Sequence, residues 1–125
     1  MVLNQEKKEV GQRGEDLAVD YIQNSGYTVL ERNYRCKLGE VDIIARDNDT
    51  LVFIEVRTRS SIDFGLPQES INRRKRHQIS KVALEYLTRK KLKNIPARFD
   101  VIAISLKGEK EKVEHFKDAF EVSIT

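Results

Sequence analysis

Cysteine is nearly absent from this chain. The single residue, Cys36, excludes an internal disulfide framework and any cysteine-rich zinc centre. The only prolines are Pro67 and Pro96, and no low-complexity tract, repeat or linker interrupts the sequence. No apolar run approaches the roughly 20 residues that span a membrane. Met1 to Lys8 lack the apolar stretch of a secretory signal. These absences predict a reducing, cytoplasmic setting without membrane contact. Neither sign of charge dominates: 23 Lys and Arg against 20 Asp and Glu leave a net charge of +3, weak grounds by itself for a polyanionic partner. What is present suits one domain over residues 1–125. Of its 125 residues 39% are hydrophobic, enough for a real core.

Hydrophobic periodicity predicts the order α-β-β-β-α-β-β. The first helix runs from about Gln5 to Asn24, with Val10, Gly14, Leu17, Ala18, Tyr21 and Ile22 as its core stripe. Glu15 sits on the shoulder of that stripe, and Ser25-Gly26 supplies the stop. Strands follow at about Thr28–Tyr34, Glu40–Arg46 and Leu51–Arg57. Thr58 to Glu69 reads as irregular, broken by Ser60-Ser61, Gly65 and Pro67. A second helix from about Asn72 to Lys91 carries Ile79, Val82, Ala83, Tyr86 and Leu87 on one stripe, which Lys75 and Gln78 prolong toward the helix start. A strand at Arg98–Leu106, a charged turn at Gly108–Lys112 and a short strand at Val113–Phe116 complete the order, and the last residues are expected to be loosely held. The fold class is α/β (α+β), a mixed central sheet flanked by helices.

Two acidic residues stand out. Asp47-Asn48-Asp49-Thr50 is rich in turn residues, and hairpin loops of two or four residues there both set Asp42 opposite Glu55. Directly opposed side chains lie roughly 4.5–5.5 Å apart at Cβ. Two carboxylates at that separation repel by roughly 3 kcal/mol at an effective dielectric of about 20. A cation between them would relieve this. The alternation places Val41, Ile43 and Ala45 against Val56, Ile54 and Val52 on a wholly apolar face. The other face carries Glu40, Asp42, Ile44 and Arg46 opposite Arg57, Glu55, Phe53 and Leu51, so it is apolar near the turn and charged at the far end. Oxygen ligands suit Mg2+ or Mn2+, which would activate water and neutralise charge on a phosphoryl transition state. Zinc fits poorly, because His77, His115 and Cys36 lack ligand spacing. The plain alternative is a solvated acidic face balanced by nearby arginines. Asp100, at the start of an apolar strand, is expected to pair with Arg98 or a neighbour.

An acid, a spacer and then Glu55-Val56-Arg57 resemble the signature of the PD-(D/E)XK nuclease superfamily. Gly11-Gln12-Arg13-Gly14-Glu15-Asp16-Leu17-Ala18, Arg32-Asn33-Tyr34-Arg35, Gly39-Glu40-Val41-Asp42-Ile43-Ile44-Ala45, Phe53-Ile54-Glu55-Val56-Arg57-Thr58-Arg59, Arg98-Phe99-Asp100-Val101 and Ala119-Phe120 resemble the bacterial YraN-like family over nearly the whole chain. That family is similar in fold to archaeal Holliday-junction resolvases. The resemblance implies a restriction-endonuclease-like fold. It implies Glu15, Asp42 and Glu55 as metal ligands, and Asp42, Glu55 and Arg57 as the catalytic set. Lysine is usual at position 57. Arginine stays protonated and cannot serve as a base, although it can hold a phosphate oxygen through a bidentate contact. Lys75 is a candidate substitute, with Glu40 and Gln78 as accessory residues.

For nucleic-acid contact the densest basic cluster is Arg73-Arg74-Lys75-Arg76-His77, extended by Lys81 and Arg89-Lys90-Lys91. Arg32, Tyr34, Arg35, Lys37 and Arg59 add to it. Such groups track phosphates without reading sequence. No aromatic platform for single strands is evident. The Ser60–Pro67 loop is expected to be mobile and to order on DNA. Three functions follow in order: a metal-dependent endonuclease of branched or damaged DNA, a nucleic-acid-binding module that retains the fold without the reaction, and a protein-interaction domain. A homodimer is implied only by the resemblance to resolvases.

Overall fold

The structure is a computed structural model that describes residues 2–59, 71–106 and 110–121, with side chains of the first helix described from residue 8 onward. The elements are α1 (Val2–Asn24), β1 (Thr28–Cys36), β2 (Gly39–Asp47), β3 (Thr50–Arg59), α2 (Arg73–Arg89), β4 (Ala97–Ser105) and β5 (Lys112–Phe120). The expected order and the flanked mixed sheet are both found. Five strands form one sheet in the order β1-β2-β3-β4-β5, parallel only between β3 and β4. The chain between those parallel strands includes α2, as a crossover requires.

The sheet is covered on both faces, as the hairpin's two apolar sides demanded. On one face Ala18, Val19 and Ile22 of α1 pack on Ile43, Ala45, Val52, Ile54, Ile102 and Ile104. On the other, Ile79, Val82, Ala83 and Tyr86 of α2 pack on Ile44, Leu51, Phe53, Phe99 and Val101. The α1 contact is close at one point. A Cβ on Gly14 would lie 1.9 Å from Thr58 Oγ1 and 2.8 Å from Thr58 Cβ. Gly14→Ala is therefore expected to destabilise the protein by about 1–3 kcal/mol, the usual range for overpacking. Thr58→Ala in the same chain removes the Oγ1 contact and should recover part of that loss, the 2.8 Å approach to Cβ remaining. A urea-denaturation cycle in which the two substitutions simply add would refute this packing.

Several boundaries differ from the sequence reading. Thr58 and Arg59 extend β3, and the rest of the expected irregular segment, including the Ser60–Pro67 loop, lies outside the described residues. The Gly108–Lys112 turn lies partly outside them, and so do residues 122–125. β5 continues to Phe120 rather than stopping at Phe116. A register shift between Phe99 and Val101, with Asp118 at φ +53°, lets Phe120 return to pair with Phe99, on whose ring it stacks at 4.8 Å.

Among the described residues no helix is long and apolar enough to cross a membrane.

Candidate metal and phosphate site

The β2–β3 hairpin has a two-residue loop, with Asp47 paired to Thr50 and Ile43 to Ile54. This is the register that sets Asp42 opposite Glu55. Regular pairing stops one step short of the acids. Instead of a backbone carbonyl, the Asp42 carboxylate accepts the Val56 amide, with Oδ2 at 2.8 Å. Asp42 thus stands in for the ladder where the two strands part.

The break extends into β1. Tyr34 pairs with Val41 and Arg32 with Ile43. Tyr34 and Val41 lie in the core under α2, whereas Ile43 lies in the core under α1. Two residues along a regular strand share a face, so the pleat is interrupted here. Asn33, at φ +51°, marks the interruption in β1. The expectation that Val41 shares a face with Ile43 and Ala45 is corrected accordingly. The regular β2–β3 pairing does not reach Glu40 and Arg57, and Glu40 forms its ion pair with Arg35 across β1 and β2, at 2.9 Å.

β3 keeps its alternation, so Glu55 and Arg57 follow Phe53 on the α2 side. Glu55 is buried, and among the described residues its Oε1 has no hydrogen-bond partner, as is true of Arg57 Nε. The ammonium of Lys75 approaches from the first turn of α2, 3.9 Å from Glu55 Oε2. That turn is fixed by Asn72, whose side chain accepts the Lys75 amide at 2.9 Å. Lys75, Gln78, Gly39, Glu40, Arg35 and Cys36 line an open cleft beside the acids. Gln78 covers Gly39, where a Cβ would meet its side chain at 2.6 Å.

The electrostatics follow from burial. Loss of water and the charge of Asp42 push the Glu55 carboxyl up to about 8, against the lowering influence of Lys75 and Arg57. Asp42 is also raised, chiefly by burial, although the Val56 amide, Lys75 and Arg57 all favour its charged form. A buried Glu55 with an orphaned oxygen beside a half-buried Asp42 suits a hard divalent cation that completes its shell with water and phosphate oxygens.

Glu15 has a different environment. It is buried, but its Oε1 accepts Asn33 Nδ2 at 2.9 Å and Arg32 Nε at 3.2 Å. Among the described residues, no three His, Cys, Asp or Glu converge as a metal-binding group. The donor set is therefore the Asp42–Glu55 pair, with Glu15 engaged by β1.

The expected basic residues divide in the same way. Arg32 is tied to Glu15 and, at 2.6 Å, to Asp16. Tyr34 is buried, and its hydroxyl donates to Glu85. Arg76 donates through Nε to the Ile71 carbonyl and lies over the Phe120 ring. Arg35, Arg73 and Arg74 are exposed near the cleft, and Arg59 ends β3 half-buried.

A second polar cluster lies on the α1 face, toward the opposite end of the sheet. Asp100, fully buried, accepts Arg98 Nε at 3.0 Å and the Asp118 amide at 2.9 Å, with His115 Nε2 2.7 Å from its other oxygen. The expected Arg98 pairing is present. The sequence reading gave His115 no role, because nothing in the spacing announces a contact across the β4–β5 irregularity.

With this geometry in place, the comparison with known proteins is informative. Residues 14–104 match the family described as "Uncharacterised protein family UPF0102". The chain belongs to this family. A UPF0102 protein of Syntrophus aciditrophicus is 51% identical over 90% of this chain and 89% of its own length. A UPF0102 protein of Geobacter sulfurreducens is 50% identical over 93% of this chain and 91% of its own. A third, from Caldicellulosiruptor saccharolyticus, is 45% identical over 91% and 98%. The matched UPF0102 region contains Gly14, Glu15, Asp42, Glu55, Arg57 and Lys75, so the whole hairpin site lies within it.

Proposed function

We propose that this UPF0102 protein is a metal-dependent nuclease of the PD-(D/E)XK type that hydrolyses phosphodiester bonds in DNA, with Asp42 and Glu55 holding Mg2+ or Mn2+. The observation that carries the reading is the acidic pair itself: buried Glu55 next to half-buried Asp42, with Glu55 Oε1 unpartnered among the described residues. A fold that merely needed polar groups there would have satisfied them. Bound at the pair, the ion would supply charge neutralisation at the scissile phosphate.

The protein's own residues do the remaining work. The Val56 amide fixes one oxygen of Asp42. Arg57 offers a fixed cation to a phosphate oxygen, with its Nε already desolvated and unpaired. Lys75 adds a second cation from α2. The exposed Arg73 and Arg74 precede Lys75 on α2 and favour a polyanion without reading its sequence. Branched or damaged DNA is the proposed substrate class, reached by phosphate contacts that follow backbone shape and not sequence.

The test is cleavage of linear, nicked and four-way-junction DNA with Mg2+ and Mn2+. Nicking that requires the ion and stops on chelation is expected. Absence of cleavage with both ions on all three substrates, in a preparation shown to be folded, would reject the reaction. One observation favours a second reading, a DNA-binding module without turnover: the strand cation is Arg57, which cannot take a proton from water. Salt-sensitive binding without cleavage would identify that case.

A further inference from the structure

We propose that the Lys75 ammonium is the internal counter-ion of the Asp42–Glu55 pair, holding the place of a divalent cation and yielding it when the ion enters. The inference rests on the metal-site reading above and adds how the empty site is kept stable and how it changes on loading. Once both carboxyls are ionised, the two cations Lys75 and Arg57 balance them in charge. The two cations are not equivalent. Arg57 belongs to β3, and its Nε is buried. Lys75 extends from a helix across an open cleft, on a four-carbon stem with its side chain 27% exposed.

The distance supports displacement. At 3.9 Å from Glu55 Oε2, the amine attracts the acid without a close hydrogen bond to it. Its charge favours ionisation of both Glu55 and Asp42. A divalent ion held by the acids would repel the ammonium, and Lys75 already lines an open cleft together with Gly39, Glu40 and Gln78. A substrate phosphate bound to the same ion would lie on that side. Lys75 would then pass from the carboxylates to the phosphate, as a positioning residue that stays charged throughout.

The experiment is a Mn2+ titration of the full chain followed by electron paramagnetic resonance, comparing wild type with Lys75→Met, Lys75→Gln and Lys75→Arg. Removing the competing charge should tighten Mn2+ binding about tenfold in the Met and Gln variants. The Arg variant should bind as wild type does. Cleavage should fall in the Met and Gln variants despite the tighter binding, a combination that a purely structural lysine would not produce. Unchanged or weaker Mn2+ binding in either neutral variant, with a native thermal transition, would overturn the proposal. If wild type itself takes up no Mn2+, the metal-site reading fails and this inference fails with it. If wild type binds and the neutral variants bind no tighter, only the counter-ion role is lost.

Discussion

Glu55→Gln will abolish metal-dependent cleavage and, at alkaline pH, make the metal-free protein more stable than wild type. The two effects have one cause. In the fold the Glu55 carboxyl is pushed up to about 8 by burial and by Asp42, from an ordinary 4.5. A carboxyl raised in this way contributes its full stability below its unfolded value. That contribution is lost as the pH rises through the folded value. Wild type should therefore weaken between about pH 5 and pH 9, by an amount on the order of a few kcal/mol. Glutamine has no proton to lose, so the variant's urea midpoint should fall less over that range, the remaining slope coming from Asp42, whose carboxyl burial also raises. Mn2+ should restore wild type at pH 9 and leave Glu55→Gln unmoved, because only wild type regains a partner for the buried charge. Activity should drop more than about 100-fold, beyond the loss that follows when a group merely supporting a metal ligand is removed. Equal slopes of stability against pH in the two proteins would refute the account of the pair, whatever the nuclease assay shows.

The pairing of these acids was legible because it depends on few facts. A two-residue loop at Asn48-Asp49 and a four-residue loop give the same sum of paired positions, so Asp42 meets Glu55 in either case. Lys75 was legible for a similar reason: helical period alone extends the Ile79 stripe back to it. The distortion around the pair was not. Alternation assumes an unbroken pleat, and Asn33 breaks it with a left-handed backbone angle. That break turns Val41 away from Ile43 and brings Asn33 and Arg32 onto Glu15. Nothing in the local pattern of β1 marks Asn33 as different from its neighbours. The Asp42 bond to Val56 was hidden for a related reason, since side chains that replace ladder carbonyls act only where the ladder has already failed.

Asp100→Ala is expected to cause the largest loss of stability in the molecule, about 3–5 kcal/mol, the usual cost of breaking a buried charge pair. Asp100 and Asp42 perform the same backbone task. Asp42 accepts the Val56 amide where β2 and β3 part, and Asp100 accepts the Asp118 amide where β4 and β5 shift register. Their surroundings differ. Asp100 has Arg98 and His115 on its oxygens, and Arg98 is held in turn by Asp47 at 3.1 Å and the Tyr27 hydroxyl at 2.7 Å. Burial alone would raise the Asp100 carboxyl. The bonds from His115, the Asp118 amide and Arg98 outweigh it and hold the group below the ordinary 3.8. A carboxyl lowered in the fold gives stability that is present above its unfolded value and disappears as the pH falls through the folded one. The gap between wild type and Asp100→Ala should therefore be widest near neutrality and narrow below about pH 4, with a neutral-pH fall in melting temperature of roughly 10 °C or more. A gap that stays constant into acid would mean that the charge of Asp100 contributes nothing. The opposite slopes expected for Asp100 and Glu55 separate a buried acid whose cation is built into the fold from one that lacks a full set of partners. That difference in surroundings, rather than burial or acidity alone, is why the metal is assigned to the Asp42–Glu55 pair and not to Asp100.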